Sequence, residues 1–272
     1  MAVYQADALV IRSREYGESD RLVTLFSREH GKIEAVAKGV RKPKSRQRAG
    51  TQLFTYADFL LHRGRTLHTV SQASPKEGFP HLWGDFGRTM AATAMAELLD
   101  AATLPEQPHP ELFTLTLSCF FLLASFEPQL LLAAYALRLA ADLGYRPSLV
   151  DCAGCGAPLT AARQVFSAEA GGVLCSRCQA ADRGKLIRSG SVALMRRLLD
   201  GDLGKLDRLR WPAWMEREVL DLIQTFCEHK FERKLKAWGA GNYVAWPVRQ
   251  DIADGQEGLG DERNAMDRTR ES

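Results

Sequence analysis

From about residue 6 to residue 79, apolar and polar residues alternate in short runs broken by turn residues roughly every ten positions, the pattern of a small barrel or sandwich. Five strands are predicted, over residues 6–12, 21–28, 32–38, 54–62 and 66–73. The turns between them hold Tyr16-Gly17-Glu18-Ser19-Asp20, His30-Gly31 and Arg63-Gly64-Arg65, where glycine supplies the backbone freedom that tight turns use. One link is much longer than the others, the polar run from Gly39 to Gly50 between the third and fourth strands. Five strands with their long link at that point outline an oligonucleotide/oligosaccharide-binding (OB) barrel.

Beyond Pro80 the apolar period lengthens from two to about 3.6, so helices replace strands. They are predicted over residues 88–104, 111–126, 129–143, 191–199 and 213–238, with Pro105, Pro128, Gly144 and Pro147 as punctuation. The last of these carries Met215, Val219, Leu222, Ile223 and Phe226 on one face and gathers Lys230, Arg233, Lys234 and Lys236 near its end. A cysteine-bearing segment at about 148–184 interrupts the helices. After Pro247 the chain is rich in Gly, Asp, Glu and Arg and poor in apolar residues, so a disordered tail is expected over 247–272. The fold class read from this is α+β multidomain: a five-stranded OB β-barrel over 1–80, then an all-α helical domain over 81–246 with an inserted four-cysteine zinc site.

Composition narrows the class further. With 46% hydrophobic and 25% charged residues in 272, wholesale disorder is excluded. No run reaches the ~18 uninterrupted apolar residues of a membrane span, and the first residues lack the cationic-then-apolar order of a signal peptide, so the cytoplasm is expected. The net charge of +3 is unevenly spread. Residues 1–80 hold 14 Lys/Arg against 8 Asp/Glu, whereas residues 81–150 hold 3 against 7. A basic head on an acidic middle makes a polyanion the expected ligand of the head, and nucleic acid the leading candidate.

Four of the six cysteines form Cys152-x-x-Cys155 and Cys175-x-x-Cys178, separated by 19 residues. Each pair presents two thiolates to one side of a tight turn, and four thiolates complete a tetrahedron with no open position, so the site predicted is one structural Zn2+. Paired disulfides do not suit a reducing cytoplasm, and a redox pair would be a single Cys-x-x-Cys in a βαβ setting. Cys119 and Cys227 lie in apolar helical runs and read as buried small hydrophobes. His109-Pro110-Glu111 matches the His-x-Glu of zinc nucleobase deaminases, but Asp151 and Leu174 stand where the deaminase pair carries proline. No catalytic residue is assigned and no enzyme activity is expected.

Six of the eleven residues from Lys38 to Arg48 are cationic: Lys38, Arg41, Lys42, Lys44, Arg46 and Arg48. Each can meet a phosphate and release counterions, giving salt-sensitive binding with little sequence preference. In an OB barrel this link borders the groove followed by single strands, where aromatic faces stack on bases. Tyr16, with Phe54 or Tyr56, is the stacking candidate. Arg196, Arg197, Arg208 and Arg210 offer a second basic surface on the helical body. Charge by itself leaves an RNA-binding or ribosome-associated zinc protein with an OB fold as the alternative. A metal-dependent nuclease would need clustered ligands, and Asp20, Asp58 and His62 show no motif spacing.

The run ALVIRSREYGESDRLVTLFSREHGKIEAVAKGVRKPKSR, followed by LFTYADFLLHRGRTLHTVSQA and by the CAGC and CSRC pairs, resembles the RecO family of bacterial recombination mediators over roughly residues 6–240. FCEHKFERKLKAW resembles the family's closing helix more loosely, with Ala237 in place of an expected serine. The resemblance implies a DNA repair and recombination mediator that binds single- and double-stranded DNA and anneals complementary strands. It also implies work with RecR and single-strand-binding protein to load RecA. On that basis Lys38, Arg41, Lys42, Lys44, Arg46 and Arg48 are the DNA-binding residues, joined by Tyr16 from the reading of the barrel aromatics, and Cys152, Cys155, Cys175 and Cys178 are the metal ligands.

Overall fold

The computed structural model describes residues 2–159, 163–181, 184–209 and 211–241. The tail expected to be disordered lies outside them. Strands β1 (Val3–Tyr16), β2 (Asp20–Ser27), β3 (Gly31–Ala37), β4 (Tyr56–His62) and β5 (His68–Glu77) close into a barrel in the order β1-β2-β3-β5-β4. Neighbours are antiparallel except β3 and β5, which run parallel from Ala35 beside His68 to Ala37 beside Val70. This is the predicted OB barrel. Its interior is filled by small and branched side chains, among them Ala6, Ala8, Val10, Val23, Leu25, Ile33, Ala35 and Leu61. Alanines at so many inward positions suit a narrow barrel whose lumen has no room for larger groups.

The first strand is twice as long as predicted, because a bulge between Val10 and Arg12 carries it past the point where the simple alternation stops. Around the bulge the chain serves two cores. Ala8 and Val10 face the lumen, while Leu9 and Ile11, with Phe26 of β2, join the apolar core of the helices.

Helices α1 (Pro80–Trp83), α2 (Phe86–Ala102), α3 (Pro110–Leu122) and α4 (Pro128–Asp142) follow. Pro110 and Pro128 open α3 and α4 at a position where no N–H is missed. Asp85 caps α2 by accepting from the Arg88 amide at 2.9 Å, and Glu127 caps α4 by accepting from Gln129 at 3.0 Å. Helix α4 is the axis of the body, with Leu130 to Leu137 all buried. The segment before α3 is laid on the barrel, with Glu106 donating its amide to the Lys32 carbonyl at 2.9 Å. Glycine is required opposite it: Gly31 has φ 64°, and a Cβ there would lie 1.9 Å from the Gln107 carbonyl oxygen.

Between α4 and α5 (Ser189–Asp200) the chain makes a three-stranded antiparallel sheet of β6 (Arg163–Ser167), β7 (Gly172–Leu174) and β8 (Lys185–Arg188), in the order β7-β6-β8. Strands of three to five residues carry too little alternation to be read beforehand. Phe166, Val173 and Ile187 insert into the helical core and so fasten the sheet to it.

The single helix predicted over 213–238 is in fact two. Helix α6 (Ala213–Lys230) ends at Phe231, Glu232 takes φ 51°, and α7 (Lys236–Gly241) begins after a turn. The break is held by carboxylates. Glu228 accepts from the Leu235 amide at 3.0 Å, and Glu97 of α2 accepts from the amides of Lys236 and Ala237 at 3.0 and 2.8 Å. These bonds cap α7 at its positive end and swing Trp238 into the core, where it is 2% exposed. The cations expected to crowd the helix end are dispersed. Lys230 donates to the Glu169 carbonyl, Arg233 pairs with Asp100 and Lys234 with Glu228.

Replacing Glu97 by alanine is expected to cost about 2 kcal/mol, the worth of charge-assisted capping bonds. The check is the melting temperature, which falls ~2–4 °C per kcal/mol in a chain of this size, together with a red-shifted fluorescence as Trp238 meets water. A pH effect is expected at the start of α6. Burial, then the nearby Glu127 carboxylate, push Glu216 up to about 7 against the opposing pull of Arg217. The folded state therefore holds a proton that the unfolded chain releases near the ordinary glutamate value. The contribution of this group to stability is fully present below the ordinary glutamate value and is lost as pH rises through about 7. A Glu216→Gln variant is expected to lose this slope in melting curves taken across that range.

Candidate nucleic-acid interface and metal centre

The long β3–β4 link is a chain of tight turns, with Lys42 donating to the Gly39 carbonyl, Ser45 to Lys42 and Thr51 to Gln47. It is pinned at both ends. Asp20 accepts from the Gly39 amide at 2.7 Å, and Ser13 of β1 donates to the Thr51 carbonyl at 3.1 Å. Gln47 reaches across to the Ser71 carbonyl of β5. A rigid base thus carries the cations at the barrel rim. Lys38, Lys42, Lys44, Arg46 and Arg48 are exposed, and among the described residues none of the five makes an ion pair.

Arg41 differs. Half-buried, it pairs with Glu15 at 3.0 Å and donates to the Glu18 carbonyl at 3.2 Å, clamping the link to the β1–β2 turn. The same clamp brings Tyr16, exposed and next in sequence to Glu15, to this rim. The other aromatic candidates are placed differently. Phe54 is fully buried against the helices, and Tyr56 donates to Asp7 at 2.9 Å with the Lys76 ammonium over its ring. Neither presents a face to a base.

On the helical body Arg197 and Arg208 are exposed, but Arg196 donates to the Leu149 carbonyl at 2.7 Å and Arg210 lies outside the described residues. Arg196 is therefore a strut between α5 and the chain entering the cysteine segment. A count of cations along the sequence does not separate struts from free charges.

The four paired cysteines converge. The first knuckle turns at Gly156, which donates to the Cys152 carbonyl at 2.8 Å, and the second at Cys178, which donates to Cys175 at 3.1 Å. Ala153 and β7 join them through a bond to the Val173 carbonyl at 2.8 Å. All four sulfurs lie within 4.8 Å of one another, and those of Cys155 and Cys175 are 3.7 Å apart. Thiolates held at ~2.3 Å from a central ion in a tetrahedron sit about 3.8 Å from each other, whereas a disulfide would require ~2.0 Å. All four thiols are free. Gly154 leaves the space they need, since a Cβ there would come 3.2 Å from the Cys178 sulfur. The donor set fits a metal ion. Among the described residues it is the one such group, and His109 takes no part in it.

The electrostatics of the cluster also call for a cation. Burial opposes charge on Cys152, yet amide bonds from Cys175, Gly154 and Cys155 outweigh it and bring the thiol down to about 6. Cys178, with the sulfurs of Cys155, Cys175 and Cys152 all within 4.8 Å, is pushed up to about 12 by their interaction with its thiol. The first thiolate forms readily and the last is opposed by its neighbours until a positive ion offsets them. Arg177 supplies part of that charge, and interaction with the Cys155 and Cys175 thiolates holds its guanidinium above the ordinary arginine value. It was not singled out from sequence, although its place inside the second Cys-x-x-Cys turn was the available signal.

Residues 1–79 match the model for the recombination protein O N-terminal region, and residues 84–239 match that for the recombination protein O C-terminal region. The chain belongs to the RecO family. DNA repair protein RecO of Desulfitobacterium hafniense is 57% identical over 278 residues, covering 100% of both chains. The RecO proteins of Heliobacterium modesticaldum and Pelotomaculum thermopropionicum are 42% and 38% identical, over 88% of this chain and 89% and 93% of theirs. RecO membership supports a role for this chain in DNA repair. No helix among the described residues is long and apolar enough to cross a membrane.

Replacing Cys152 and Cys175 together by serine is expected to abolish metal retention and to lower the melting temperature. Elemental analysis and thermal unfolding check this, and metal-free wild-type protein of unchanged stability would contradict it. Protons compete for the same sulfurs, so metal content is expected to fall on acidification. Loading at neutral pH is expected to release protons, read as a buffer-dependent heat.

Proposed function

We propose that this RecO-family chain is a non-catalytic DNA-strand mediator of the cytoplasm. It binds single- and double-stranded DNA through the rim of its barrel, anneals complementary strands, and with RecR helps load RecA onto DNA coated with single-strand-binding protein. The observation that carries the reading is the set of five exposed cations on the pinned link, Lys38, Lys42, Lys44, Arg46 and Arg48, without a partner among the described residues. Charges held together with no internal counterion repel one another, and a polyanion offsets that repulsion. Phosphate contacts leave base edges free, which is what annealing requires of a surface that holds a strand.

The role of the cysteine cluster is structural. One Zn2+ held by Cys152, Cys155, Cys175 and Cys178 would have all four positions filled by protein, with none left for water or substrate. Its work is to fix the two knuckles and the sheet between α4 and α5.

Reversing Lys42, Lys44, Arg46 and Arg48 to glutamate is expected to abolish binding of single strands at moderate salt while the melting temperature is kept. Alanine replacements are expected to lower the slope of log affinity against log salt by about 0.7 for each lost phosphate contact. Fluorescence anisotropy across a salt series reads both. Unchanged binding in the reversed variant would sink the proposal, and equal annealing of RNA and DNA strands would favour an RNA-binding role instead.

A further inference from the structure

Two phenylalanines hold backbone conformations that a bulky side chain rarely adopts. Phe54 has φ 64° and Phe79 φ 46°, and both are fully buried. Such residues persist where the surrounding packing over-determines them. Here the packing is shared, because both rings meet Phe120 of α3 edge-on, at 5.4 and 5.6 Å between centroids. Each also supports an aromatic ring that faces solvent. Trp83, 54% exposed, lies 5.7 Å from Phe54, and Phe121, 49% exposed, lies 5.0 Å from Phe79. The fold thus spends strained backbone on a buried three-ring base that presents Trp83 and Phe121 outward.

The position of this base relates it to the cationic link. Phe54 closes the link, and the hydroxyl of the next residue, Thr55, donates to the carbonyl of Ala49 at 3.2 Å. Ala49 directly follows Arg48. The last free cation of the rim and the ring beneath Trp83 are therefore joined through one short turn, with the Phe54 amide anchored on the Val10 carbonyl at 2.8 Å. Exposed aromatic faces beside an unneutralised cationic track are the two elements by which proteins bind single strands: phosphates on the charges, bases on the rings.

We propose that Trp83 and Phe121 form a base-stacking platform for unpaired nucleobases whose phosphates lie on the Lys38–Arg48 link. The proposal rests on the nucleic-acid reading of that link and adds to it a preference for single over double strands, because the bases of a duplex are already stacked. It also accounts for aromatic side chains held in water at the barrel–helix seam, where Phe54 and Tyr56 supply no open face.

The test uses the full chain and three probes of equal length: labelled oligo(dT), a duplex, and an abasic strand with the same phosphates. Trp83→Ala is expected to weaken oligo(dT) binding about tenfold or more, the worth of one lost stack, and Trp83→Phe to restore most of it. Affinity for the duplex and the abasic strand, and the salt slope, are expected to stay as in the wild type, which also certifies the fold. Phe121→Ala is expected to act in the same direction. Oligo(dT) affinity unchanged in Trp83→Ala, while the link reversal abolishes binding, would overturn the platform, keep the phosphate track, and leave this face to a protein partner. Parallel loss of all three probes would also overturn it, as a structural effect. Full binding by both the Trp83 and the link variants would remove the reading of the link as the nucleic-acid site, and the platform with it.

Discussion

The structure depends on one wall with two apolar faces. Strands β1 and β2 turn Ala6, Ala8, Val10, Val23 and Leu25 into the barrel and Leu9, Ile11 and Phe26 into the helical core, and all are buried. Each large side chain so buried contributes about 1.5–3 kcal/mol, so separating barrel from helices would expose several such groups at once. The polar contacts across the seam follow from this closeness. Lys32, 9% exposed, reaches the Asp100 carboxylate at 3.1 Å and its carbonyl at 2.7 Å, and Arg12 and Arg233 approach the same carboxylate. A lysine so deeply set needs such a partner, since an unpaired buried charge is costly. The barrel is therefore a fixed part of the body rather than a module swinging on a linker.

That fixity gives the surface features their meaning. The cationic link is pinned to β1, the β1–β2 turn and β5, so its charges stand at set places around the rim. The cysteine segment is tied to the helical core through Phe166, Val173 and Ile187. A metal ion there would act beyond the end of α4, the helix against which α2, α3, α5 and α6 pack, with the Arg196 strut to Leu149 passing its position to α5.

What could be read beforehand is what repeats. Alternation marked the five barrel strands and the 3.6 period marked the helices, because each of those elements buries one face over many residues. Features that depend on a single distant partner left no such trace. The break at Phe231 exists because Glu97, far away in sequence, caps α7. The sheet β6–β8 was too short to show a period. At the site, Cys-x-x-Cys spacing was legible because geometry demands it, but the division between Arg41 as clamp and its neighbours as free charges depends on Glu15 and Glu18 across the turn. Phe54 was read as a barrel aromatic, yet its positive φ turns the ring out of the barrel into the helices.

Phosphate contacts alone do not tell one polyanion from another, and their strength falls with salt for single and double strands alike. The proposed mediator role, acting where strands are unpaired, calls for a second contact with a different dependence. Stacking supplies it, because an unpaired base offers a face that a duplex keeps to itself. The strained Phe54 links the two contacts in this chain, ending the charged track on one side and underlying Trp83 on the other. A substitution that relaxes its backbone at the expense of its ring would leave every rim cation in place and still misplace the surface beside them. On the proposed reading, the barrel and helices join at the point where charge recognition ends and base recognition begins.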